Sequence, residues 1–86
     1  MDFIKENSKI YSLDENQKVI AEITFCEIEK GVFNINHTFV DEKLRGQGIA
    51  SKLVQMAVEE IQKRNGKVQA TCSYAKKWLE KKGFEK

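Results

Sequence analysis

The stretch DEKLRGQGIASKL, residues 41–53, decides how this chain is read. It sets Gly46, Gly48 and Ala50 among charged residues, between two segments of different hydrophobic period. Before it, Phe33, Ile35, His37 and Phe39 alternate with Asn34, Asn36 and Thr38. That is the two-residue period of a strand, with the first set on one face. After it, Ile49, Leu53, Met56, Ala57 and Ile61 keep helical spacing, with Ala50, Val54 and Val58 on a flanking row. The helix is predicted from about Gln47 to Asn65, with Gly66 as the left-handed residue that ends it. A strand, a glycine turn and a helix make an anion site. The first N–H groups of a helix have no internal acceptor, its dipole adds positive charge there, and glycine lets the backbone approach a phosphate.

Working outward, Lys9–Leu13 reads as a strand, with Phe3–Lys5 as an earlier piece. From Lys18 to Cys26, Val19, Ala21, Ile23 and Phe25 share one face, while Glu22, Thr24 and Cys26 share the other. Short polar turns join these segments, which predicts an antiparallel meander of three strands. Beyond the helix, residues 67–72 read as a short strand. The segment YAKKWLEKKGF reads as a second helix stopped by Gly83. The strands on either side of the first helix are expected to be parallel neighbours joined by a right-handed crossover. The fold class is α+β, and 86 residues are read as one domain, 1–86.

Composition narrows the function. Hydrophobic residues at 41% and charged residues at 33% suit a globular chain, and no apolar run has the length of a membrane span. The first residues carry no secretion signal, so a cytoplasmic location is expected. Cys26 and Cys72 are too few for a disulfide framework, and one histidine leaves no metal site with zinc-ligand spacing. Residues 1–40 carry a balance of −3 and residues 41–86 a balance of +5, so the basic half contains the glycine turn. A nucleic-acid partner ranks low, because no recognition motif accompanies the basic residues. The turn matches neither GxxxxGK[ST] nor GxGxxG, which argues against a Walker-type triphosphatase and a dinucleotide fold.

RGQGIA resembles the Q/R-x-x-G-x-G/A signature of the GNAT superfamily of N-acetyltransferases, with Arg45, Gly48 and Ala50 at its defined positions. CSYAKKWLEKKGF resembles a second motif of that family, N-x-x-A-x-x-x-Y-x-x-x-G-F, through Ala75, Gly83 and Phe84. HTFV (37–40) and Cys72 are similar to a minimal, YjdJ-type subgroup. The resemblance implies a truncated GNAT fold without the N-terminal helices and final strands. It also implies that acetyl-CoA is bound by Arg45, Gly46, Gln47, Gly48, Ile49, Ala50 and Ser51, with main-chain groups of Phe39 and Val40 meeting the pantetheine arm. It implies acetyl transfer to an amine whose identity the sequence leaves open, with a non-catalytic acetyl-CoA-binding module as the alternative. Two departures stand out: Cys72 takes the place of the Asn, and Leu79 that of the Tyr that commonly protonates the leaving thiolate.

Cys72 ends a predicted strand just before a helix, where the dipole favours a thiolate. It is a candidate acyl-accepting nucleophile, or else a small buried hydrophobe. His37 is a candidate general base if it meets Cys72 across neighbouring strands, or else a hydrogen-bonded core residue. Cys26 and Trp78 read as an edge thiol and a packing residue. Among Lys76, Lys77, Lys81 and Lys82, one or two are candidates to reach the adenosine 3′-phosphate.

Overall fold

The computed structural model describes residues 1–83. Phe84 of the expected Gly-Phe pair lies outside them. Five strands form one mixed sheet: β1 (Ile4–Lys5), β2 (Lys9–Leu13), β3 (Val19–Glu29), β4 (Val32–Val40) and β5 (Lys67–Ala70), in that spatial order. Pairings from β1 to β4 are antiparallel and β4–β5 is parallel. Helix α1 (Ile49–Lys63) is the crossover between β4 and β5, and α2 (Ser73–Lys81) follows β5.

The core lies between the sheet and α1. Ile10, Ala21, Ile23, Phe25, Phe33 and Ile35 point from the sheet toward Leu53, Val54, Ala57, Val58 and Ile61 of α1, and Ala75 and Leu79 of α2 extend the layer. The other face of the sheet carries Tyr11, Glu22, Thr24, Cys26, Asn36, His37 and Phe39, none of them buried.

Two expectations change here, each for a local reason. His37 and Phe39 do not share the face of Phe33 and Ile35. Thr24 pairs with His37 while the next residue, Phe25, pairs with Ile35, so Asn36 is an extra residue in β4. This β-bulge reverses the alternation. Thr38 and Val40 turn inward opposite Ile23 and Ala21, and His37 and Phe39 turn outward opposite Thr24 and Glu22.

At the C-terminal end of α1 the left-handed residue is Asn65, with φ 59°, and not Gly66. Gly66 is required for space. A Cβ built on it would lie 2.6 and 2.7 Å from two ring carbons of Phe33 and 3.0 Å from Ile61 Cγ2. Gly83, with φ 77°, does take the left-handed position after α2.

Candidate functional site

The turn between β4 and α1 is built in steps. Asp41 donates its N–H to the Ile20 carbonyl at 2.8 Å, which holds the end of β4 on β3. Its carboxylate accepts from Lys43 N–H at 2.9 Å and caps a short 3-10 turn over Glu42–Leu44. The chain then passes through Gly46 (φ 85°) and Gly48 (φ 75°), the second being the N-cap of α1. Both sit in the left-handed region where a side chain is strained, and a Cβ on either would meet nothing within 4 Å. Conformation, not crowding, selects glycine at both positions.

The first intrahelical bond of α1 runs from Lys52 N–H to Gly48 C=O. The N–H groups of Ile49, Ala50 and Ser51 therefore have no helical acceptor. No side chain caps this end and no acidic residue occupies its first turn. Helix starts ordinarily carry such groups, and their lack leaves three donors and the dipole facing outward. Gly48, Ile49 and Ala50 line a cavity of about 210 Å3 together with Val40, Arg45 and Tyr74, among others. Arg45 folds back so that its Nε lies 3.4 Å from the Val40 carbonyl. Trp78 donates its indole N–H to Ser51 Oγ at 2.8 Å, which ties α2 to the first turn of α1.

Beside this cavity β4 and β5 part. Ile35 and Ala70 are their last pair, and the Thr71 and Cys72 N–H groups both donate to the Ile35 carbonyl before the chain turns into α2. The Asp41–Ile20 bond sets the antiparallel phase, so the main-chain groups of Phe39 and His37 pair with β3. Those of Thr38 and Val40 point to the edge that β5 has left. Of the two residues expected to meet a pantetheine arm, Val40 therefore turns main-chain groups to that edge, as Thr38 does, while those of Phe39 are paired with β3.

Cys72 sits in the gap as the N-cap of α2, with its Sγ 3.5 Å from Thr38 Oγ1. Burial pushes the thiol up, but the Thr38 hydroxyl and the N–H groups of Ala75, Tyr74 and Thr38 outweigh it and hold the thiol below its usual range. His37 is not part of this cluster. It stands on the opposite sheet face, half exposed, with Nε2 3.8 Å from Glu22 Oε1. The structure therefore brings together the glycine turn, Val40 and the start of α1, and places Cys72 against Thr38, while it separates Cys72 from His37. Leu79 is fully buried in the core.

Thr38 and Tyr74 are site residues that the strand and helix periods alone do not mark. A signal for Thr38 does exist. Ile35 and Val40 are both apolar and five apart, an odd spacing that a strand can bury on one face only with an inserted residue.

Among the described residues no group of three or more histidine, cysteine or acidic side chains is placed to hold a metal. Among the same residues no helix is long and apolar enough to cross a membrane. Residues 10–85 match the family model of GCN5-related N-acetyltransferases. A solution structure described as a GCN5-like N-acetyltransferase from Staphylococcus aureus is 36% identical, with a TM-score of 0.79 over 96% of this chain and 82% of that one. An acetyl transferase from Pyrococcus furiosus gives 0.68 at 23% identity, over 91% of this chain and 58% of that one. YhbS from Escherichia coli, a GNAT-family protein solved in complex with CoA, gives 0.62 at 24% identity, over 72% of this chain and 38% of that one. At these identities the last two show the fold alone, and the chain spans less than two thirds of each. No curated protein matches.

Proposed function

The chain belongs to the family of GCN5-related N-acetyltransferases, and on that premise we propose that it binds acetyl-CoA at the turn into α1 and passes the acetyl group to an amine. The observation that carries this reading is the 210 Å3 cavity onto which an uncapped helix end opens. In this reading the diphosphate rests on the N–H groups of Gly48, Ile49, Ala50 and Ser51, with Gly46 and Gln47 completing the turn and Arg45 supplying positive charge. The pantetheine arm runs along the free edge of β4, where Thr38 turns its main-chain groups outward and Val40 its N–H, the Val40 carbonyl accepting from Arg45. That path brings the thioester to the level of Cys72.

Two routes satisfy the chemistry. In direct transfer the amine nitrogen attacks the thioester carbonyl, the carbon–sulfur bond breaks, and the proton lost by the amine ends on the CoA thiol. In the two-step route the Cys72 thiolate attacks first, giving an acetyl-cysteine and CoA thiolate; the amine then attacks that second thioester, its carbon–sulfur bond breaks to return the Cys72 thiolate, and the proton lost by the amine ends on the CoA thiolate. The donors around Cys72 favour its thiolate and support the second route. Since His37 faces away from Cys72, it does not activate that thiol. Beside Glu22 on the open sheet face, it is set to take the proton of an amine arriving from that side. Membership of the YjdJ-type subgroup, a single domain over 1–86 and a cytoplasmic location complete the reading.

One observation favours a second reading, an acetyl-CoA-binding module without turnover. Leu79 stands where the family motif has a tyrosine, and it is buried and carries no proton. Calorimetry with acetyl-CoA tests the binding. Heat with the wild-type chain and none with Gly48→Glu supports the site, and no heat with the wild type refutes it. Single-turnover reactions with acetyl-labelled CoA then separate the two readings. Label on Cys72 or on an added amine supports the enzyme. Binding without transfer across a broad set of amines supports the module.

A further inference from the structure

Helix α2 carries Tyr74, Lys77, Trp78 and Lys81 at positions i, i+3, i+4 and i+7, which is one stripe of a helix. These four residues line a second cavity of about 140 Å3. Tyr74 also lines the cavity at the start of α1, so the two share a wall. That ring is 42% exposed, unlike most large apolar side chains of the chain. The floor of the second cavity is fixed to the first, because Trp78 is hydrogen-bonded to Ser51 in the first turn of α1. An anion seated on that turn is therefore one aromatic ring away from two ammonium groups.

Three other lysines have neighbours of their own. Lys43 lines a cavity with Asp14 and Asp41, whose carboxylates repel a phosphate. Lys52 lies over the Phe3 ring at 5.5 Å. Lys82 lies 5.7 Å from the Trp78 ring centroid and lines a cavity that includes Glu59. Among the described residues neither Lys77 nor Lys81 has a carboxylate partner.

Resting on the reading that the turn binds CoA, we infer that Lys77 and Lys81 hold the 3′-phosphate of its ribose, with the adenine lying on Tyr74. The phosphate is a dianion at neutral pH, and two unpaired ammonium groups one helical turn apart match it in charge and spacing. The pair distinguishes CoA from any ligand that shares its diphosphate but lacks the 3′-phosphate.

Calorimetric titration of the full chain with CoA and with 3′-dephospho-CoA tests the assignment. The wild type is expected to bind CoA about 10-fold more tightly than dephospho-CoA, the combined effect of two exposed ion pairs at the upper end of their strength. Lys77→Ala with Lys81→Ala abolishes that preference and leaves the affinity for dephospho-CoA unchanged. The control, Lys76→Ala with Lys82→Ala, keeps the preference. Tyr74→Leu weakens both compounds alike. Equal binding of the two compounds by the wild type, or a preference that survives in Lys77→Ala with Lys81→Ala, overturns the assignment alone. No heat with either compound overturns the underlying reading as well.

Discussion

Gly48 and Gly66 bracket α1, and they are glycine for different reasons, which substitution separates. At Gly66 the obstacle is matter. An alanine Cβ would stand 2.6 and 2.7 Å from the Phe33 ring and 3.0 Å from Ile61, inside van der Waals contact with side chains that are themselves buried. Overpacking of this kind costs roughly 1–3 kcal/mol. Reduced freedom of the unfolded chain returns about 0.4–1 kcal/mol. The balance, a net loss of about 1.3 kcal/mol, lowers Tm by roughly 5–10 °C for a chain of this size. At Gly48 nothing stands within 4 Å, and the obstacle is the φ of 75°. An alanine there costs about 1 kcal/mol, or roughly 4–8 °C. Asparagine sharpens the contrast, because it tolerates the left-handed region yet is larger than alanine. Gly48→Asn is expected to be milder than Gly48→Ala, and Gly66→Asn worse than Gly66→Ala. Thermal unfolding followed by circular dichroism reads all four. If Gly66→Ala melts at or above the wild type, or if asparagine rescues Gly66 and not Gly48, the reasoning is wrong.

Three further outcomes are expected. In a Cys26→Ser background, Thr38→Val removes a donor that lowers the Cys72 thiol, so the pH profile of its alkylation by iodoacetamide shifts to higher pH, while Thr38→Ser keeps the original profile. The sign follows from the thiolate being the reactive form: a depressed thiol reacts at lower pH, and losing the donor gives that advantage up. Trp78→Phe deletes the 2.8 Å bond to Ser51 and is expected to cost about 1 kcal/mol in urea unfolding, with weaker acetyl-CoA binding because α2 is no longer fixed to α1. Cys72→Ala is expected to leave calorimetric acetyl-CoA binding within about 2-fold, since the main-chain donors do not involve its side chain, and to remove any label found on the protein after a single turnover.

The order of periods, two then 3.6 then two then 3.6, was legible in the residues because each period follows from local backbone geometry. So was the glycine turn between strand and helix, because Gly46 and Gly48 take left-handed angles that few other residues adopt. The family motifs could be read for the same reason, as short stretches whose chemistry lies in consecutive residues. What the linear pattern did not disclose was the bulge at Asn36, since the pairing of β4 with β3 decides which residue is extra. From that one residue follow the outward turn of His37, the separation of His37 from Cys72, and the arrival of Thr38 beside the thiol. Gly66 makes the same point at the other end of α1: a sequence records that a side chain is missing, and only packing against Phe33 says why. Local dihedral preference is written residue by residue, whereas register and contact are properties of pairs far apart in the chain, and only the folded sheet assigns them.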